Sequence, residues 1–295
     1  MSKEQLAAVK ARLGAIPFDR TQGAEQHRKS FDSFAVRPIP ADVTAKETLL
    51  GGVNAIELTV DGNAGLPSVL YFHGGGYVVG SARSGAWLAA ELARRTGGRG
   101  LSVDYRLAPE HPYPAAVEDG VAAYAGLLEQ GTAPGSVVVA GDSAGGGLAI
   151  ATLLAARDRG LPQPAAAAVF SAWADITRSG ASIRGKASAD PLFDYDILGW
   201  YASRLLPSGD PSAPLASPVF ASLAGLPPLL IQAGSHEVLV DDAVRLAAAA
   251  ARDDVDVTLQ VTAGAAHVFQ NNFGLLEEAD QALDDVARFT RRYLS

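Results

Sequence analysis

Three stretches of the 295-residue chain hold residue types that could carry out nucleophilic chemistry. The first is Gly141-Asp142-Ser143-Ala144-Gly145. It follows the apolar run Val137 to Ala140 and precedes a Leu- and Ala-rich stretch reaching Arg157, so Ser143 is expected on a sharp strand-to-helix turn. Small residues two positions either side of such a serine let neighbouring chain approach closely, and amides at the helix N-terminus can receive negative charge. The second stretch is His73-Gly74-Gly75-Gly76, at the end of the buried-strand run Ser68 to Phe72. Successive glycines let backbone N–H groups turn toward one spot, which an oxyanion hole needs together with the N–H after the nucleophile, here Ala144. In a chain with 31 glycines, chance gives about 0.2 matches to the serine pattern but roughly 0.006 to the His-Gly-Gly-Gly run. The glycine run is the more specific signal, and the serine pattern counts because of its strand-turn-helix context. A phosphate cradle would want Lys and Ser/Thr after the glycines, and Tyr77-Val78-Val79 supplies neither.

The third stretch must supply a base and an acid. Of five histidines, His27, His73 and His111 precede the serine, while His236 and His267 follow it. Enzymes with a serine on such a turn run in the order Ser, acid, His. That order favours His267, after the last strand, as base, and the loop after Leu229 to Ala233 as the source of the acid. Within Gly234-Ser235-His236-Glu237-Val238-Leu239-Val240-Asp241-Asp242, a carboxylate near the loop tip reaches best, so Glu237 leads and Asp241 is the alternative. Asp241 and Asp242 also fit the first turn of a helix, where they would face the dipole favourably. Asp142 reads as a brace for the turn.

The elements that must position these groups alternate. Thr44 to Leu50 and Val53 to Val60 read as a hairpin about Gly51-Gly52, and further strands are expected at Ser68–Phe72, Leu101–Asp104, Val137–Ala140, Ala165–Ala172, Leu229–Ala233 and Val257–Val261. Helices are expected at Trp87–Arg95, Ala115–Leu128, Ala144–Arg157, Asp241–Arg252 and from Leu276 to Tyr293. Such alternation implies a mostly parallel sheet with helices on both faces. Leu6, Val9, Leu13 and Ile16 recur at helical spacing in an N-terminal unit, residues 1–43, read equally well as a packed arm or as part of a lid. Thr21 to Ser30 reads as a polar connecting stretch. Residues 180–218 break the alternation and read as a helical insertion, leaving 44–179 and 219–295 as the main body.

Composition narrows the classes. The chain is 48% hydrophobic and 19% charged with a net charge of −8 and no basic cluster, which argues against nucleic acid as a partner. With no cysteine, disulfides, thiolate metal sites and cysteine nucleophiles are excluded. No apolar stretch approaches the roughly 18 residues of a membrane span, and no export signal is visible, so a cytoplasmic location with no membrane partner is expected. A homodimer is left open.

His73-Gly74-Gly75-Gly76-Tyr77, the run Asp104-Tyr105-Arg106-Leu107-Ala108-Pro109-Glu110 continuing to Ala116, and Gly141-Asp142-Ser143-Ala144-Gly145-Gly146 together resemble the hormone-sensitive-lipase family of esterases, bacterial family IV, of the GDSAG type. The likeness runs in order from about residue 45 to the end. It implies an α/β-hydrolase fold with a helical cap, cleaving short-chain carboxylic esters with a Ser-acid-His triad and no metal or cofactor. Carried over by position, Ser143 is the nucleophile, His267 the base, and Gly75, Gly76 and Ala144 the oxyanion donors. The Asp104 to Ala116 segment is then structural support beneath the glycine loop. The departure is the acid, where the family usually has Asp and this chain has Glu237. Amide, lactone or acetylated small-molecule substrates, or a receptor on the same fold, are the rival readings.

Overall fold

The strands of the computed structural model, which describes residues 3–16, 18–63 and 65–295, form one eight-stranded sheet. Met1, Ser2 and Pro17 of the expected N-terminal unit lie outside the described residues. The strands are β1 (Val43–Leu50), β2 (Val53–Val60), β3 (Ser68–Phe72), β4 (Arg99–Val103), β5 (Val137–Asp142), β6 (Ala166–Phe170), β7 (Leu229–Gly234) and β8 (Val257–Thr262). Their order is β1-β2-β4-β3-β5-β6-β7-β8. The β1–β2 hairpin pairs antiparallel, as does β2 with β4, and every later pair is parallel. The glycine-run strand β3 lies directly beside the serine strand β5, with Phe72 opposite Gly141.

The α-helices among the described residues are α1 (Lys3–Gly14), α2 (Ala24–Ala35), α3 (Ala82–Thr96), α4 (Ala115–Glu129), α5 (Ala144–Asp158), α6 (Ser182–Gly185), α7 (Tyr195–Leu205), α8 (Val240–Arg252) and α9 (Glu277–Thr290), and short 3-10 turns lie at Pro134–Ser136, Pro218–Phe220 and Phe269–Asn272. The two-residue alternation of the strands sorts the core. Leu70, Phe72, Val139 and Ile231 face α4, α5 and α8, while Val69, Tyr71, Ala168 and Phe170 face α3 and α9. Strands β3, β5, β6 and β7 are buried along their whole length, as covered parallel strands must be. Helix α5 is buried from Ala144 to Ala156, which its small residues make possible. Ends held by such packing place the turn before α5 firmly.

Two expectations need correction. Thr21 to Ser30 is not simply a polar connection, because α2 runs through it from Ala24 to Ala35. Its sequence, AEQHRKSFDSFA, buries only Ala24 and His27, so the apolar period that marks a core helix is missing. The starts of helix α3 at Ala82 and of strand β4 at Arg99 also lie upstream of their expected positions. At α3 the Ser81 and Ser84 side chains cap reciprocally, a serine pair in place of the usual acidic N3 residue. The N-terminal unit and the 180–218 segment meet: Phe18 packs on Trp200 and Tyr201, and Arg20 reaches Asp194 and Asp196 at 3.1 Å each. Those ion pairs are exposed and worth at most about 1 kcal/mol, so the aromatic contact holds the junction. Among the described residues no helix is long and apolar enough to cross a membrane.

Candidate active site

Ser143 sits between β5 and α5 with φ 53 and ψ −122, a backbone state that L-residues rarely adopt. Such strain costs on the order of 1–3 kcal/mol and persists only where the surroundings enforce it. Here the Ser143 amide donates to Phe170 O at 2.8 Å, and its carbonyl accepts from Gly146 N at 3.0 Å and Trp173 N at 2.8 Å. The flanking glycines are required by space. A Cβ on Gly141 would lie 2.3 Å from Gly145 O, and one on Gly145 would lie 2.0 Å from Phe72 O and 2.4 Å from His73 O. Neither neighbour is a side chain that can swing away. Gly145→Ala is therefore expected to destabilise: a helix gains about 1 kcal/mol from Ala over Gly, but overpacking against backbone costs up to about 3 kcal/mol. Urea unfolding should show a net loss of roughly 2 kcal/mol, and an unchanged midpoint would contradict the crowding.

The glycine loop bends over the serine. Gly75 and Gly76 have φ 116 and 59, and a Cβ on Gly76 would lie 2.4 Å from the Tyr201 ring. Among the described residues, the amides of Gly75, Gly76 and Ala144 donate to no protein acceptor. Asp142 ties the loop to the serine turn, since its Oδ1 accepts from the Tyr71 hydroxyl and from Gly74 N at 3.0 Å. Burial pushes the Asp142 carboxyl above its ordinary value, against the Tyr71 hydrogen bond and the His267 charge that hold it down. Beneath the loop, the Tyr105 hydroxyl donates to His73 O at 2.7 Å and its ring stacks on His73 at 4.2 Å. Ala108 N donates to Tyr77 O at 2.9 Å, and Asp104 Oδ1 accepts from Ala82 N at 2.8 Å. Burial pulls His73 down to about 4, so it is neutral near pH 7, and the ring nitrogen 2.7 Å from Gly74 O carries its proton.

His267 lies in the loop after β8, with Nδ1 3.2 Å from Glu237 Oε2; both side chains are buried. The Phe193 ring meets the imidazole edge-on at 5.0 Å. Burial alone lowers His267, but the hydrogen bond and charge of Glu237, then Asp190 and Asp142, outweigh it, and the net direction is upward. Asp190 also fixes the acid loop, its Oδ2 accepting from Val238 N at 2.8 Å and its Oδ1 from Leu192 N and Phe193 N at 2.8 and 3.0 Å. The other two loop carboxylates serve elsewhere. Asp241 Oδ2 accepts from Ser182 N at 2.7 Å, and Asp242 Oδ2 accepts from Ala174 N and Asp175 N, each at 2.9 Å. Asp241 and Asp242 do lie in the first turn of α8, as expected, and the fully buried Asp242 also anchors the loop after β6.

Ser143, His267, Gly75 and Gly76 all open onto one cavity of about 460 Å³. Phe31, Phe34 and Tyr201 line it as well, whereas Trp200 stands behind, against Phe18 and His27. Phe193, from the apolar set of the 180–218 insertion, lines it too, and Phe18, Trp87 and Leu192 line it without having been singled out from sequence as site residues. The sequence marks Trp87 only as the start of a helix, and in the structure its ring stacks on Phe273 at 4.8 Å. Asp190 carried no motif.

Residues 69–271 match the profile of the alpha/beta hydrolase fold family. The chain is 47% identical to an acetyl-hydrolase of Streptomyces hygroscopicus over 76% of its own length and 75% of the relative's. It is 35% identical to an esterase of Acinetobacter venetianus, covering 81% and 79% of the two chains. Among solved structures it superposes on an esterase from the bacterial hormone-sensitive lipase family with a TM-score of 0.95 at 37% identity, covering 100% of both chains. EstE5 soaked with p-nitrophenyl butyrate gives 0.94 at 40% identity, covering 99% of both. With profile, relatives and backbone in agreement over most of its length, the chain belongs to the hormone-sensitive-lipase family of the α/β-hydrolase fold.

Proposed function

We propose that this protein is a carboxylic ester hydrolase that cleaves short-chain acyl esters through a serine acyl-enzyme. One observation carries the reading: a buried His267–Glu237 pair opens onto the same cavity as a strained serine beside three amides without protein acceptors. The names of the acetyl-hydrolase and esterase relatives support ester hydrolysis. In the proposed cycle His267 Nε2 takes the proton from Ser143 Oγ, which attacks the ester carbonyl. Glu237 holds the imidazole in one tautomer and stabilises the imidazolium, and the amides of Gly75, Gly76 and Ala144 receive the oxyanion. His267 then protonates the departing alcohol, and water activated by the same histidine releases the acid. The electrostatics suit this cycle: Glu237, Asp190 and Asp142 raise the basicity of His267, which takes the serine proton, while His73 stays uncharged.

We read residues 1–43 and 180–218 as one cap over the site and place the protein in the cytoplasm. The bulky cap residues Phe31, Phe34 and Tyr201 limit the length of acyl chain that fits a cavity of about 460 Å³. Soaking of the similar EstE5 with a butyrate ester supports the same range. On p-nitrophenyl esters, kcat/KM is expected to peak between C2 and C6 and to fall about tenfold or more by C12, since chain beyond the pocket gains no burial. A rate rising steadily to C12 contradicts the cap reading. Labelling of Ser143 by a fluorophosphonate tests the nucleophile directly, and no labelling of active-site serine would favour a non-catalytic binder.

A further inference from the structure

The catalytic cavity carries positive charge that the reaction itself does not use. Arg12, on α1, and Arg37, just after α2, both line it. Their contacts are neutral: Arg37 Nη1 donates to Asn271 O at 3.0 Å, its guanidinium lies 5.2 Å over the Trp87 ring, and Arg12 donates to Asn272 Oδ1. Among the described residues, no carboxylate lies within the 4.0 Å of an ion pair from either one. Arg20, Arg28, Arg94, Arg95, Arg99 and Arg106 each have a carboxylate at 3.1 Å or closer, whereas Arg178, Arg184 and Arg204, like Arg12 and Arg37, have none within 4.0 Å among the described residues, so the distinguishing feature of Arg12 and Arg37 is their place on the cavity wall. Arg12 and Arg37 are the only arginines or lysines lining the cavity among the described residues, in a chain with 32 acidic and 24 basic residues. They also repel each other: burial, then the Arg12 charge, pulls Arg37 below its ordinary value. The only carboxylate lining the cavity, among the described residues, is Asp142, and it is tied to Tyr71 and Gly74 at the floor.

We propose that Arg12 and Arg37 form an anion-recognising subsite at the α1–α2 end of the catalytic cavity, so that the preferred esters carry an anionic oxygen group away from the scissile bond. The inference rests on the reading of this cavity as an ester-hydrolysing site. Arg37 uses one of its five N–H donors on Asn271, which leaves the fork able to bind a carboxylate. An anion between the two guanidinium groups would replace their repulsion by charge-assisted hydrogen bonds, strengthened by the low dielectric of a cavity wall. Trp87 under Arg37 holds the guanidinium plane in place.

The test uses matched ester pairs, one with the charge on the acyl side and one on the alcohol side. Ethyl hydrogen glutarate is compared with ethyl 5-methylhexanoate, and 4-acetoxybenzoate with 4-isopropylphenyl acetate. In the wild type the anionic member of at least one pair should have a kcat/KM about tenfold above its neutral partner. That ratio should fall about tenfold in Arg12→Gln/Arg37→Gln and be largely kept in Arg12→Lys/Arg37→Lys, which retains the charge. Where the double variant does not fold, the exposed Arg12→Gln alone gives the same readout. A ratio near one in the wild type, or an equal ratio in the glutamine variant, overturns the subsite while leaving ester hydrolysis standing. If no ester is turned over, the hydrolase reading fails, and calorimetric binding of glutarate and 4-hydroxybenzoate decides the subsite. Binding weakened about tenfold by the glutamine substitutions supports it; no binding, or equal binding, overturns it.

Discussion

Ser143→Ala is expected to lower kcat on p-nitrophenyl acetate by roughly five to six orders of magnitude while leaving the fold intact. The residue left after the loss of Oγ still faces the amides of Gly75, Gly76 and Ala144, so water attack on the bound ester should remain faster than in free solution by about 10³-fold. Turnover above a tenth of the wild type would remove Ser143 from the chemistry. The control comes from the backbone. Ser143 is held at φ 53 and ψ −122 whether or not it has a hydroxyl, so alanine inherits the strain. Glycine does not suffer it, and Ser143→Gly should unfold at higher urea than Ser143→Ala, by about 1 kcal/mol. A less stable glycine variant would mean that the turn is not strained.

Glu237→Gln is expected to cost about 10³- to 10⁴-fold in kcat, because glutamine neither fixes the required tautomer nor stabilises the imidazolium. It also shifts the pH profile in a direction that a general loss of stability would not produce. The sign follows from the charges. His267 lies above its ordinary 6.5 because the Glu237 hydrogen bond and charge, with Asp190 and Asp142, outweigh burial. Activity needs the neutral imidazole, so the wild-type acid limb falls above pH 6.5. With Glu237 neutralised, its two raising contributions go and burial remains, so the limb of the residual activity moves to lower pH. Asp241→Asn should leave the limb in place, since Asp241 holds Ser182 N at 2.7 Å and not the histidine. A larger activity loss in Asp241→Asn than in Glu237→Gln would exchange the two roles.

Much of the scaffold was legible because its signals are local. Strand β3 matches its expected span of Ser68–Phe72, the β1–β2 hairpin turns at Gly51-Gly52, and α5 begins at Ala144 as the serine turn requires. A buried parallel strand is a short β-branched run, and a strained turn needs small neighbours, so composition over five or six residues reveals both. Helix α2 was not legible. It earns its place through two buried residues and the Arg28 contact with Val78 O at 2.8 Å, 50 positions away, and no window of its own sequence contains that partner.

The sequence by itself determined which atoms could react and in what chain order they come. Ser143, the glycine run and a late histidine are recognisable because residue type and spacing along the backbone set what each local segment can do. Tertiary structure alone decided which carboxylate stands beside that histidine. Glu237, Asp241 and Asp242 lie within six positions of one another, yet the first meets His267 at 3.2 Å and the others hold the backbone of Ser182 and of Ala174 and Asp175. It also decided what covers the serine, bringing Arg12, Phe31, Arg37, Phe193 and Tyr201 from separate segments to one cavity. The physical reason is the same in both cases. Hydrogen-bond partners and pocket walls are fixed by through-space distances of a few ångströms between residues far apart in the chain, and a linear pattern carries no record of those distances.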